Sequence, residues 1–131
     1  MDKNKTVGMV LALGLSQMVC TAVAAPAAQA FPCFRNSSQM SPGVAQPGEY
    51  KVIHSYTVNC GTTLHNLTVR TQRGSVQPVT VERSQGGTWT TVVRGAYDPS
   101  ANWGGGTFRV ILDNTAGKAP ISYRGSFSLP L

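Results

Sequence analysis

Two histidines, His54 and His65, and four acids, Glu49, Glu82, Asp98 and Asp113, are the groups from which any acid–base site outside the first thirty residues must be built. Such chemistry needs two titratable groups held within reach of one substrate. The spacing offers no such pair. The histidines stand eleven positions apart, which puts them on no common turn or strand face. Glu82 and Asp113 fall on the solvent parity of alternating stretches, Glu49 opens a stretch, and Asp98 precedes Pro99 in a turn sequence. Serines are plentiful, but no Gly-x-Ser-x-Gly elbow presents one as a nucleophile. A zinc site needs a third ligand beside the two histidines, and none is suggested. His54 shares parity with apolar neighbours and reads as a satisfied, half-buried side chain. The expectation is no catalytic residue, no metal and no cofactor.

Binding chemistry is better represented. Gly95-Ala-Tyr-Asp-Pro-Ser-Ala-Asn-Trp-Gly-Gly-Gly106 is the longest connection after Glu49. Tyr97 and Trp103 supply flat faces, and Asp98 and Asn102 supply polar atoms beside them, a combination that suits sugar rings and protein hot spots alike. The alternative for Trp103 is a plug at one end of a small core, and both readings stand on sequence alone. Gly104 to Gly106 would let this loop flex or approach a ligand closely. Charge adds a second signal. The chain carries 11 Lys+Arg against 5 Asp+Glu; without Lys3, Lys5 and Asp2 the remainder is nine against four, net +5. Seven of the nine are arginines, and Arg109 and Arg124 occupy the polar parity of the last two apolar stretches. A modest positive field favours acidic proteins, anionic glycans or lipid headgroups. No basic run marks nucleic acid.

The elements that must carry these residues are strands. Tyr50, Val52, Tyr56, Val58 and Cys60 share one parity with His54, interrupted by Ile53. Alternation returns at 67–71, at 79–82 and at 89–93, the last two joined by a Ser84-Gln85-Gly86-Gly87 hairpin turn. Phe108, Val110 and Leu112, then Ile121, Tyr123, Phe127 and Leu129, read as a closing hairpin with one apolar face. Residues 31–48 read as an irregular lead-in, with Pro42-Gly43 and Pro47-Gly48 as breakers. No helical period appears after the first thirty residues. The pattern predicts a small antiparallel β-sandwich of jelly-roll or immunoglobulin type, with six to seven strands and a core of Val52, Tyr56, Val58, Val69, Val81, Phe108, Val110, Leu112, Tyr123 and Phe127.

Residues 1–30 read as a secretory leader. Lys3 and Lys5 precede the apolar run Val7 to Val19, and Ala28-Gln29-Ala30 is an A-x-A cleavage site. The run is too short to span a bilayer, which takes about 20 residues. Gln17, Met18 and Val19 make a poor lipobox for Cys20. Cleavage after Ala30 leaves a single domain, Phe31 to Leu131, 101 of the 131 residues. It also leaves two thiols, Cys33 and Cys60, which outside the cytosol are expected to pair and to stabilise so short a domain by about 3 kcal/mol.

Gly106-Thr-Phe-Arg-Val-Ile-Leu-Asp-Asn114 followed by Tyr123-Arg-Gly-Ser-Phe-Ser-Leu129 resembles the closing hairpin of bacterial pre-peptidase C-terminal domains. The likeness covers about Leu67 to Leu131. Those domains are jelly-roll-like sandwiches attached to exported enzymes, so the resemblance implies the same fold class. The acidic strand usual in that family is replaced here by His65-Asn66-Leu67-Thr68.

These readings converge on an exported, non-enzymatic binding or accessory module, periplasmic or extracellular. Its expected partner is a protein or an anionic envelope glycan, contacted through Tyr97, Asp98, Asn102 and Trp103 and the Arg109–Arg124 face. The alternative is an inhibitor of a secreted or periplasmic hydrolase, which needs a loop held rigid by its surroundings.

Overall fold

In the computed structural model the described residues are 34–60 and 64–130. The proposed leader, its cleavage site and Cys33 lie outside them. Nine strands follow in order: β1 Arg35–Gln39, β2 Gly43–Ala45, β3 Tyr50–Val58, β4 His65–Thr71, β5 Pro78–Gln85, β6 Thr88–Tyr97, β7 Ser100–Ala101, β8 Gly106–Asp113 and β9 Ile121–Pro130. Among the described residues all pairing is antiparallel and there is no helix. Sheet A has the order β1-β9-β4-β7, with β2 also on β9; sheet B has the order β3-β8-β5-β6. The expected β-sandwich is present, with nine strands rather than six or seven. The difference lies in short strands. The supposedly irregular lead-in contributes β1 and β2, both laid on β9, and the long connection contributes β7. Strands of two to five residues without polar–apolar alternation leave no period to read.

The chain changes sheet at almost every step. Among the described strands only β5 and β6 form a hairpin within one sheet, turned through Gly86 (φ 56°) and Gly87 (φ 83°), the left-handed pair a two-residue turn requires. The expected closing hairpin is corrected: β8 lies in sheet B and β9 in sheet A. Their apolar parities meet because they face each other across the core. Asn114 makes the corner between them. It is buried, and its Nδ2 donates to the carbonyls of Ala45 and Ala119, each at 3.0 Å. Its own backbone exchanges bonds with Glu49 O (2.8 Å) and Gly48 N (2.9 Å).

The core between the sheets holds Tyr56, Val58, Leu67, Val69, Val79, Val81, Phe108, Val110, Leu112, Tyr123 and Leu129, with Met40 and Ala45 from the lead-in. Phe127 is half-buried against it. Val52 is the correction: it is 44 % exposed, and Ile53 is buried instead. The register between β3 and β8 slips between Val52 and His54. One extra residue there reverses the parity, so Tyr50 and Val52 face outward while Tyr56 and Val58 face inward.

Candidate functional site

The four acids and His65 are committed within the fold. Glu49 Oε2 accepts Gln46 N at 2.7 Å. Asp113 Oδ1 accepts Thr115 N (3.0 Å) and Oγ1 (2.6 Å). Asp98 holds Arg70 in a two-pronged pair at 2.5 and 2.8 Å, from a backbone at φ 42°. His65, on the inner face of β4, is completely buried. Its Nε2 meets the Gly104 carbonyl at 3.1 Å and its Nδ1 meets Tyr56 Oη at 3.0 Å. A carbonyl only accepts, so Nε2 carries the proton and neutral Nδ1 accepts from Tyr56. Burial lowers the His65 pKa and raises that of Tyr56. Both ring nitrogens are taken, so His65 offers no atom to a substrate. His54 stacks on Phe127, with ring centroids 4.6 Å apart. It is half-buried as expected but not satisfied: its Nε2 is buried without a hydrogen-bond partner among the described residues. Among the described residues no group of three His, Cys, Asp or Glu gathers as a metal site, and no helix is long and apolar enough to cross a membrane.

The 95–106 connection is a strap rather than a free loop. Gly95 to Tyr97 finish β6, and β7 then joins the other sheet beside His65 and Asn66. The Pro99 carbonyl accepts Leu67 N at 3.0 Å, Ser100 Oγ bonds Asn66 Oδ1, and the Trp103 carbonyl accepts Arg83 Nη1 at 3.4 Å. Trp103 packs against His65 and Phe108, with centroids 5.2 and 6.3 Å away. It is half-buried on the core and so follows the plug reading. The glycines serve that packing: a Cβ on Gly105 would stand 3.2 Å from the Val58 carbonyl oxygen. Tyr97, at the opposite end of the strap, is 66 % exposed. Asn102 is exposed and its Oδ1 lies 3.4 Å from Gly104 N. Tyr97 and Trp103 therefore do not make one exposed platform.

Arg109 and Arg124 are also separated. Arg109 is on the outer face of sheet B, and Arg124 on the outer face of sheet A. The expected common basic face rested on the hairpin that the topology divides.

Sequence reasoning missed the most organised surface, the outer face of sheet B. Glu82 on β5 points outward by parity yet is only 7 % exposed. Its Oε2 receives Arg109 Nε (2.9 Å) and Nη2 (2.6 Å), and its Oε1 receives Tyr50 Oη (2.7 Å). The Arg109 guanidinium lies over the Trp89 ring, 4.2 Å from its centroid. In register, Val52, Ile111 and Thr80 form one row and Arg109 and Glu82 the next. Tyr50 starts opposite Asp113, so to reach Glu82 its side chain crosses the Ile111 row. That accounts for an outward-facing isoleucine that is fully buried. Around it Tyr50 stays 45 %, Val52 44 % and Trp89 36 % exposed. Burial alone would raise the Glu82 carboxyl; the hydrogen bonds from Tyr50 and Arg109 outweigh it and hold the carboxyl below its ordinary range. Partial desolvation, then the bond to Glu82, push the Tyr50 hydroxyl up to about 12. The signal was present in the sequence as Tyr50 and Val52 beside the irregular Ile53, but only the bulge shows which way they point.

No family model, no curated protein and no solved structure matches this chain.

Proposed function

We propose that this chain is an exported, non-enzymatic binding module that docks on a partner protein through the outer face of sheet B. The observation that carries this is the clamp on Glu82. It fixes an exposed tyrosine, and an arginine stacked on an exposed tryptophan, around one nearly buried carboxylate. Tyr, Trp and Arg are the residues that dominate protein interfaces. Side chains already held in place lose little freedom on binding. The internal commitments of all four acids and of His65 support a non-enzymatic reading. The proposed export goes with a Cys33–Cys60 bridge. Arg35, two residues beyond Cys33, pairs with Pro130, and Cys60 Sγ lies 3.6 Å from the Pro130 carbonyl oxygen.

One observation favours the hydrolase-inhibitor reading: the strap is pinned at Asp98, Pro99, Ser100, Trp103 and Gly104, which is the rigidity an inhibitory segment needs. A photo-cross-linking residue separates the two. Placed at Val52 in the exported protein, it is expected to give a discrete protein adduct in the producing cell, and at Tyr97 none. An adduct from Tyr97 alone moves the site to the strap. No adduct from Val52 while the exported protein accumulates overturns the docking surface.

A further inference from the structure

The outer face of sheet A has a different chemistry, and its register arranges that chemistry in rows. Ser37, Ser128 and Asn66 stand opposite one another on β1, β9 and β4, and Asn66 continues to Ser100 on β7. Gln39, Ser126 and Thr68 form the next row, and Arg124 and Arg70 the one after. Strands spaced about 4.8 Å apart, with rows about 7 Å apart, make this a polar field roughly 14 Å on a side. Short side chains in the first two rows leave a shallow depression of about 350 Å³. A second, of about 110 Å³, adjoins it at Gln39, Thr68 and Ser126 and runs to Arg70 and Arg124.

Charge at the two ends is positive. Arg35 borders the first row, with Nη1 2.9 Å from Ser128 Oγ and Nη2 donating to the Leu64 carbonyl at 2.6 Å. Arg70 and Arg124 are directly opposed across neighbouring strands, a placement that is unfavourable for like charges. Asp98 answers Arg70 with both its oxygens, and Arg124 has no hydrogen bond or ion pair among the described residues. Of two opposed guanidiniums only one is thus paired with a carboxylate, at the end of a field of hydroxyls and amides.

We propose that this face binds an acidic saccharide: a short uronate-bearing oligosaccharide whose hydroxyls lie on the Ser, Thr, Asn and Gln rows and whose carboxylate meets Arg124. The hydroxyl rows exchange hydrogen bonds with a polyol in either direction, and the guanidinium takes a carboxylate through two parallel bonds. The face is opposite the Tyr50–Trp89 surface, and the proposal stands independently of that reading.

The test is an amide-shift titration of the isotopically labelled exported protein with a mannuronate tetrasaccharide, with maltotetraose and sodium phosphate as comparison ligands. The uronate is expected to move the amides of Ser37, Thr68 and Ser126, and maltotetraose to move them much less at equal concentration. Arg124→Ala is expected to weaken uronate binding at least about tenfold with an otherwise unchanged spectrum. Added salt weakens it further, because Arg124 is exposed. Trp89→Ala leaves it unchanged. Absence of these shifts, equal affinity for maltotetraose, or phosphate binding as tightly as the uronate would each overturn the proposal; the last would mean a simple anion site. Uronate binding lost in Trp89→Ala would overturn the placement.

Discussion

Replacing Glu82 by alanine removes the group that organises the outer face of sheet B. Three hydrogen bonds disappear with it, two from the Arg109 guanidinium and one from Tyr50. Hydrogen bonds to charged groups contribute about 1.5–3 kcal/mol each, and breaking a fully buried pair costs about 3–5 kcal/mol. Neither limit applies in full. The Arg109 side chain is 26 % accessible and Tyr50 is near half-exposed, so water replaces part of what they lose. The Ile111 row also loses cover as Tyr50 is released. Glu82→Ala is therefore expected to cost about 2–3 kcal/mol in urea unfolding, or about 10–20 °C in melting temperature for a domain of this size. A paired change, Glu82→Leu with Arg109→Met, is expected to recover most of the loss, since it leaves no uncompensated charge. The pH dependence has a definite sign. The folded carboxyl sits below its ordinary 4.5, so its contribution is complete above about pH 4.5 and is lost as pH falls through the lowered value. Glu82→Gln is expected to lack that acid-range loss. A cost below about 0.5 kcal/mol for Glu82→Ala, or an unchanged acid profile in Glu82→Gln, would refute the clamp.

Other outcomes follow from the same structure. Val110→Ala, in the closed core, is expected to cost about 2 kcal/mol and Val52→Ala under about 0.5; equal costs would contradict the bulge at Ile53. Tyr56→Phe removes the donor to His65 Nδ1 and is expected to cost about 1–3 kcal/mol by chemical denaturation. Burial lowers the pKa of both His54 and His65, so stability is complete above about pH 6.5 and declines as pH falls below it; His54→Phe is expected to flatten that decline. Asn114→Ala leaves two carbonyls at the sheet-crossing corner without their donor and is expected to cost about 2–3 kcal/mol, read from the melting temperature.

Side-chain alternation makes the β-sandwich and most of the core legible, because β4 and β9, and β8 against β5, pair without a register shift. Parity says which side chains face a core; it does not say which sheet a strand joins. Parity therefore points Phe108 and Phe127 toward the interior, while the division of β8 and β9 between two sheets, which parity does not encode, separates Arg109 from Arg124. Val52 failed for a local reason, one extra residue in β3. Glu82 was hidden by its type, since a glutamate at solvent parity reads as solvated until its partners from β3 and β8 are known. His65 was equally opaque: its acceptor, Gly104 O, comes from 39 residues away. The polar rows of sheet A depend on register between β1, β9 and β4, which no single segment encodes.

The central claim is that binding resides on the Tyr50–Trp89–Arg109 face. Its most direct test is the affinity of the partner captured through Val52 for Trp89→Ala, measured by calorimetry beside the wild type. Trp89 is more than a third exposed and lies on the edge strand, so its loss is expected to leave the melting temperature nearly unchanged. Trp89→Ala is expected to bind at least about thirtyfold more weakly, the scale of a hot-spot truncation, and Tyr97→Ala with unchanged affinity. Undiminished binding by Trp89→Ala, with the loss falling on Tyr97→Ala instead, would contradict the claim.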